Sequence, residues 1–239
     1  MNSEPITDSR DKILARIREA LQTTAPKRHL HAPAGVATRG HAADATAHGT
    51  PQEWLPPVPG TLDERLALFE KNSADLKTRV IRCADEAAVT ASINEIALAE
   101  NWKRVAAHRF PMGHSSILAT QLPVTWVDEG YDVADLESAD AGITGCECLV
   151  SQTGSILVTA ASSGGRALSV LPPHHVVIAA RSQVVGDLSE ALAVAKTSHG
   201  GTAPAFLSFI TGPSRTGDIE RILVLGAHGP KQLTVLVVG

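Results

Sequence analysis

Two segments of the sequence concentrate side chains that are suited to binding a small anion. The first runs from residue 140 to residue 173 and contains the turns Thr153-Gly154 and Gly164-Gly165-Arg166, and the second runs from residue 211 to residue 230. Glycines let backbone N–H groups approach an anion closely, and an arginine can bind a carboxylate or phosphate through two parallel hydrogen bonds. The alternative for the first segment is a flexible surface turn whose arginine pairs with an acidic neighbour.

The second segment carries the most distinctive cluster, which is Ser214, Arg215 and Thr216. Ser214 is predicted to cap a short helix, and the exposed amides of a helix N-terminus beside Arg215 favour anions. The alternative is a purely structural cap in which Arg215 pairs with Asp218 or Glu220. Further along, His228 is either a candidate general acid or base, or a turn residue with no chemical role.

Both segments follow predicted strands, and ligands of open α/β sheets bind outside the carboxyl ends of the strands. We therefore predict that Arg166 and Arg215 meet in one pocket at these strand ends. The predicted ligand-binding residues are Thr153, Gly154, Gly164, Gly165, Arg166, Ser214, Arg215, Thr216 and His228. The expected ligand is a small carboxylate or phosphate, and no catalytic residue is assigned.

The cysteine pattern bears on redox chemistry. The chain has three cysteines, Cys83, Cys146 and Cys148, and the last two are predicted to point to one face of a strand. An iron–sulfur cluster usually takes four thiolates, so we expect no such cluster in this chain. We also expect no other metal and no cofactor. Adjacent His174 and His175 should point to opposite faces of a strand, which makes them a poor metal pair. The usual dinucleotide, P-loop, serine-hydrolase and zincin motifs do not occur in the sequence.

The elements that must position these residues alternate between strand-like and helix-like patterns, which predicts an α/β fold with a three-layer, mainly parallel sheet. The predicted strands are residues 79–83, 104–107, 124–127, 155–160, 176–180, 206–210, 222–225 and 233–238, and the predicted helices are residues 85–101 and 187–198.

The N-terminal part of the chain has a different pattern. Residues 8–22 repeat apolar residues at helical spacing, whereas residues 23–60 have almost no apolar periodicity. We predict an N-terminal helix and flexible linker over residues 1–60, followed by one α/β domain over residues 61–239. The domain should open with a helix capped by Thr61 and Glu64. Whether the helix over residues 8–22 docks on a partner stays open.

Composition narrows the class of protein. The 239 residues carry a formal net charge of −4 without a dense run of Lys or Arg, which argues against nucleic acid as a partner. The polar N-terminus lacks the apolar core of a secretory signal, and no segment is apolar enough for membrane insertion. An odd number of cysteines in such a chain argues for reduced thiols. We therefore expect a cytoplasmic protein.

Several motifs together resemble the LUD domain, in its lactate-utilisation protein C branch. They are the runs at 140–145, Thr153-Gly154-Ser155, Gly165-Arg166 with Leu171-Pro172, and above all residues 212–220 followed by residues 226–230. The resemblance implies a fold like that of glucosamine-phosphate isomerase, ribose-phosphate isomerase and CoA transferases. It also implies a role in oxidising L-lactate to pyruvate beside two partner proteins that carry iron–sulfur clusters. One departure is Gln152, where many relatives have a carboxylate before the Thr-Gly pair.

The resemblance leaves three functions to compare. The first is an accessory, non-redox subunit of a lactate-oxidising system that binds the iron–sulfur proteins and a small anionic ligand. The second is a free-standing enzyme acting on a CoA thioester or a sugar phosphate, by analogy with proteins of related fold. The third is a regulatory ligand-binding module. A carboxylate or base poised beside a nucleophile in the cleft would favour the second.

Overall fold

The computed structural model describes residues 14–16, 18, 56–202, 204–216, 224–225 and 229–239. Of the helix predicted over residues 8–22, the described residues 14–16 and 18 are helical, and the rest lies outside the described residues. The predicted linker also lies outside them, apart from residues 56–60, so the domain boundary stays a prediction. All elements given below belong to the unit Pro51–Gly239. None of the helices in the described part of the chain is long and apolar enough to cross a membrane.

A six-stranded sheet forms the centre of this unit. Its strands are β1 (Arg79–Cys83), β2 (Val105–Ala107), β3 (Val124–Trp126), β4 (Ala141–Thr144), β7 (His174–Ala180) and β12 (Gln232–Val238), in the order β1-β12-β7-β4-β2-β3. Every neighbouring pair is parallel, which confirms the predicted mainly parallel sheet. The central strands β7 and β12 are buried along most of their length, as expected when both faces of a parallel sheet are covered.

A second, four-stranded sheet packs on one face of the first. It consists of β5 (Cys148–Val150), β6 (Ser155–Thr159), β8 (Val184–Val185) and β9 (Leu207–Ile210), in the order β8-β5-β6-β9. The pairs β5–β6 and β6–β9 are antiparallel, whereas β5–β8 is parallel. The segments 155–160 and 206–210 were expected in the parallel sheet, and instead they pair with each other here. A separate two-stranded ribbon joins β10 (Arg215–Thr216) to β11 (Val224–Leu225).

Five α-helices complete the unit among the described residues, and the starts of the longer ones follow from local capping. They are α1 (Leu62–Asp75), α2 (Glu86–Glu100), α3 (His114–Leu118), α4 (Val133–Glu137) and α5 (Leu188–Ser198). The predicted capping box of Thr61 and Glu64 opens α1. Asp85 and Asp187 cap α2 and α5 by accepting backbone N–H bonds at 2.8 Å.

The helices lie on both sides of the sheets. Helices α2 and α3 cover one face of the six-stranded sheet, through side chains such as Val89, Ile93 and Ile117. Leu66 and Phe69 of α1 cover the other face together with the second sheet. Helix α5 packs behind the second sheet through Ala191 and Ala195. Each fully buried Ile, Leu or Phe side chain stabilises this arrangement by roughly 1.5–3 kcal/mol relative to exposure.

Candidate functional site

A shallow cleft opens after the carboxyl end of β2, whose neighbour in the sheet is β4. The chain leaves β2 towards α3 on one face of the sheet and leaves β4 towards the second sheet on the other. Such a reversal is where open α/β sheets bind ligands. The cleft has a volume of about 380 Å³. Its lining residues are Arg109, Phe110, Pro111, His114 and Ser115, and we call it the carboxyl-edge cleft.

Two polar lining residues of the carboxyl-edge cleft, Arg109 and Ser115, contact carboxylates outside its lining. Arg109 contacts the carboxylate of Glu129 and lies 5.0 Å from the ring centre of Trp126. The backbone N–H of Arg109 donates to Asp128 at 2.7 Å. His114 differs, because its buried Nδ1 has no hydrogen-bond partner among the described residues.

The predicted Gly164-Gly165-Arg166 turn lies beside this cleft. Gly164 has φ +62°, and a Cβ there would lie 2.5 Å from Cβ of His108, so only glycine fits without displacement. His108 donates from Nε2 to the carbonyl oxygen of Ser162 at 3.0 Å and stacks on Phe110. Burial lowers the pKa of His108 and outweighs the opposing effect of that hydrogen bond, so its imidazole is held neutral. Arg166 itself is exposed.

The other predicted glycine turn lies at the end of α1. A Cβ on Gly154 would come within 2.9 Å of the backbone of Asn72 and Ser73. The amide of Asn72 holds the same turn by donating to the carbonyl oxygen of Ser151 at 2.8 Å. Thr153 has a buried hydroxyl oxygen without a hydrogen-bond partner among the described residues. This turn is thus fixed by its packing on α1.

The segment with Ser214, Arg215 and Thr216 also reaches the end of α1. Arg215 donates from its guanidinium to the backbone carbonyl oxygen of Leu76, one of the carbonyls that a helix C-terminus leaves free. The prediction that Ser214 caps a helix is wrong, because Arg215 and Thr216 form strand β10 instead, and the rest of the predicted helix lies outside the described residues. The backbone N–H of Ser214 donates to the carbonyl oxygen of Pro230 at 2.8 Å, so it is already used. Residues 217–223 and His228 lie outside the described residues.

The structure therefore separates the two arginine segments. The end of α1 leads directly into the amino end of β1, whereas His108 follows the carboxyl end of β2. These strands are four steps apart in the sheet, which corresponds to about 19 Å at the usual strand spacing. The predicted single pocket shared by Arg166 and Arg215 is wrong. Ligand binding by the individual residues stays a prediction.

Sequence reasoning missed a cavity at the amino ends of β1, β7 and β12. This amino-edge cavity has a volume of about 160 Å³. Its lining residues are Lys77, Arg79, Glu100, His174, Pro213, Lys231, Gln232, Leu233 and Thr234. Pro213, which directly precedes Ser214 and Arg215, is the lining residue from that part of the sequence. The sequence did contain a signal for this cavity. Lys77, His174 and Lys231 each stand at or just before the start of a strand, and the strands of a parallel sheet all begin at the same edge.

Glu100 and His174 form a fixed polar wall of the amino-edge cavity. His174 donates from Nδ1 to Oε2 of Glu100 at 2.9 Å, and its Nε2 accepts from the hydroxyl of Thr234 at 2.8 Å. The indole N–H of Trp102 donates to the same Oε2 at 3.1 Å. Burial lowers the pKa of His174, although the contact with Glu100 opposes this shift. The imidazole and the carboxylate are therefore locked in position.

His175 points the other way, as the alternation of a strand predicts. The hydroxyl of Thr144 donates to the carbonyl oxygen of Gly145, so Nε2 of His175 must donate to that hydroxyl, at 2.9 Å. Its Nδ1 is buried without a partner among the residues described. Burial lowers the pKa of His175 to about 3.

The cysteines are buried separately. Cys146 belongs to the core between the two sheets, and Cys148 belongs to the core between the second sheet and α5. The prediction that both sulfurs share one strand face is wrong, because β5 begins only at Cys148. Burial raises the pKa of Cys146, and it raises the pKa of Cys148 to about 12, so both thiols stay protonated. In the described part of the chain, no group of three or more His, Cys, Asp or Glu is arranged to hold a metal ion.

Comparison with known proteins gives one consistent result. Residues 66–238 match the family model of the LUD domain. A lactate utilization protein C from Deinococcus radiodurans is 36% identical over 133 residues, which are 52% of this chain and 62% of that protein. One from Bacillus velezensis is 31% identical over 135 residues, which are 51% of this chain and 56% of that protein. This chain therefore matches less than two thirds of the length of either relative.

A solved structure supports the fold. The crystal structure of a DUF162 family protein from Deinococcus radiodurans is similar with a TM-score of 0.59 and 25% sequence identity. The similarity covers 76% of this chain and 100% of that chain. The α/β architecture built on a parallel sheet is thus common to both proteins.

Proposed function

The chain belongs to the LUD-domain family, and from this premise we propose that it takes part in lactate utilisation as an accessory, non-redox subunit. In this role it binds the iron–sulfur proteins that oxidise L-lactate to pyruvate, and it binds a small anion. The observation that carries the proposal is the family match over residues 66–238, together with relatives named lactate utilization protein C.

The environment of the cysteines supports a non-redox role. Iron–sulfur clusters are held by thiolates, and a thiol must lose its proton to become a ligand. Cys146 and Cys148 lie in different apolar cores, where burial raises the pKa of both thiols. Cys83 is buried as well, beside the hydroxyl of Ser92. Each cysteine packs as a small apolar side chain.

The second candidate is an enzyme that acts on a CoA thioester or a sugar phosphate, and it has weaker support. A covalent mechanism of the CoA-transferase type requires a carboxylate nucleophile. Gln152 precedes the Thr153-Gly154 turn in this chain, and its amide donates to the carbonyl oxygen of Pro56 at 2.7 Å. An amide in that position serves structure rather than nucleophilic attack. The accessory role is therefore the better conclusion.

Affinity purification of the tagged full-length chain tests this role. Purified from its native host grown on L-lactate, the chain should bring iron–sulfur proteins with it, and the eluate should show their visible absorbance. Growth on glucose, with the tagged chain at matched abundance, is the control for non-specific binding. Produced alone in a heterologous host, the chain should be colourless and unable to oxidise L-lactate.

Three results would count against the proposal. One is elution of the chain without iron–sulfur proteins from lactate-grown cells. Another is lactate oxidation, or a stoichiometric chromophore, in the isolated chain. The last is CoA transfer or sugar-phosphate isomerisation by the isolated chain, which would favour the enzyme.

A further inference from the structure

The amino-edge cavity gathers positive charge from separate parts of the chain. Lys77 comes from the connection between α1 and β1, Arg79 is the first residue of β1, and Lys231 directly precedes β12. Among the residues that line the cavity, Glu100 is the only carboxylate. The lining thus carries three cationic side chains against one anionic side chain, and this balance favours an anion in the cavity.

The ion pairs in the described residues leave most of this positive charge available. Arg79 approaches Glu95 at 3.7 Å, and both side chains are more than half exposed, so this contact is weak. No ion pair of Lys77 or Lys231 occurs within the described part of the chain. Among the described residues, an anion that binds these cations would therefore compete only with the weak contact between Arg79 and Glu95.

Lys77 reaches the cavity from the end of α1. Lys77 has φ +68°, in the left-handed region that normally favours glycine after a helix. The turn is a regular helix end, since the N–H of Thr78 donates to the carbonyl oxygen of Ser73 at 2.8 Å and the N–H of Lys77 donates to that of Ala74. Glycine would satisfy the same hydrogen bonds without strain. Lys77 is exposed at this helix end, where a cation is favourable, and it is one of the residues that line the cavity.

Glu100 sets a second requirement for any ligand of the amino-edge cavity. Its Oε2 accepts hydrogen bonds from both Trp102 and His174, which fixes the carboxylate against the wall. Within the described residues, its Oε1 has no hydrogen-bond partner. Glu100 is exposed, so water hydrates this oxygen, but a simple anion in the cavity would meet its negative charge. A ligand that carries a hydroxyl beside its anionic group satisfies both the cations and Glu100.

We propose that the amino-edge cavity binds a small hydroxycarboxylate. Its carboxylate lies against Lys77, Arg79 and Lys231, and its hydroxyl donates to Glu100. The site deepens the anion-binding part of the proposed function, on which it rests only for the choice of L-lactate as the probe. No reaction is needed, because the cavity recognises the ligand and leaves it unchanged.

Isothermal titration of the purified full-length chain tests the site with three probes, namely L-lactate, pyruvate and inorganic phosphate. L-lactate should bind saturably. Pyruvate has a carboxylate of similar size but no hydroxyl, and it should bind about fivefold or more weakly, since one hydrogen bond to a charged group is lost. Phosphate should also bind more weakly than L-lactate. Equal or tighter binding of pyruvate or phosphate would overturn the assignment of a hydroxycarboxylate.

Variants separate binding from folding. Lys77→Gly removes the charge and relieves the left-handed backbone, so it should weaken L-lactate binding roughly fivefold without lowering the midpoint of urea unfolding. Lys231→Ala should weaken binding by a similar factor. Lys196→Ala, on α5 behind the second sheet, is the matched control and should bind as the unchanged protein does. Unaltered binding in both Lys77→Gly and Lys231→Ala would place the ligand elsewhere.

Glu100→Gln tests the hydroxyl contact. The amide keeps the size of the side chain but removes its charge, so the preference for L-lactate over pyruvate should fall towards one. A preference that survives this change contradicts the role of Glu100. Absence of saturable binding for all three probes overturns the site itself. Co-purification with iron–sulfur proteins is measured separately, so failure of the site is distinguishable from failure of the accessory role.

Discussion

Acid should destabilise this protein through His175, and the structure sets the size of the effect. The ring is fully buried, its Nε2 donates to Thr144, and its Nδ1 has no partner among the described residues. Protonation would add a positive charge and a second N–H that finds no acceptor there. Both consequences disfavour the charged form, and burial accordingly lowers the pKa of His175 to about 3.

The direction of the pH dependence follows from this lowered pKa. In the unfolded chain the imidazole titrates near its ordinary pKa of about 6.5, so below that pH the unfolded state takes up a proton that the folded state refuses. The contribution of His175 is therefore fully present above pH 6.5 and is lost as the pH falls towards 3. Between pH 7 and pH 5, the two pKa values give a loss of about 2 kcal/mol in the free energy of unfolding.

Urea unfolding at pH 7 and pH 5 measures this loss when the unchanged chain is compared with His175→Gln. Glutamine can donate to Thr144 but does not titrate, so the variant should lose about 2 kcal/mol less over the same interval. All other titrating groups contribute to both proteins and cancel in the difference. Equal losses in the two proteins would refute the reasoning. NMR titration of the unchanged chain is an independent check, since a His175 resonance that titrates near pH 6 contradicts a buried neutral ring.

Three further predictions concern packing, thiol reactivity and the N-terminal segment. Gly142→Ala should lower the free energy of unfolding by roughly 1–3 kcal/mol, because its Cβ would lie 2.3 Å from the carbonyl oxygen of Leu168. Gly60→Ala, which meets nothing within 4 Å, is the control in the same urea experiment, and equal stabilities would contradict the close approach. Cys146 and Cys148 should resist iodoacetamide at pH 8 until urea is added, because burial raises the pKa of both thiols, and mass spectrometry showing rapid labelling of the native chain would contradict this. Limited proteolysis should first cut within residues 23–60, which have few apolar side chains to bury, and a first cut after residue 61 would contradict the predicted boundary.

Local sequence predicted the elements whose signals lie within a few residues. Asp85 and Asp187 stand before apolar residues at helical spacing, and both cap helices in the structure. The long apolar strands β7 and β12 were also visible, because burial on both faces leaves an almost unbroken apolar run. Short strands such as β4 and β8 were missed, since two to four residues beside glycines and polar residues give no periodicity to count.

The candidate sites also divide into features that residue types predict and features that only the fold decides. The residue types predict a type of chemistry, an anion held by cations beside glycine turns, and this stays a prediction. The location could not be predicted, because the predicted pocket assumed that all strands belong to one sheet. The structure places β6 and β9 in a second sheet and directs Arg215 to the end of α1. Gly164 remains at the carboxyl edge with His108.

By itself, the sequence determined the family, the parallel sheet, the capped helices and the opposite orientation of His174 and His175, because these depend on neighbouring residues and on the spacing of apolar side chains. Only the tertiary structure decided which segments share an edge. Lys77 and Lys231 are far apart along the chain, and they meet because β1 pairs with β12 in parallel register. That pairing depends on burial of both strands between α2 on one side and α1 with the second sheet on the other. Burial of this kind is a property of the whole fold, and no local pattern contains it.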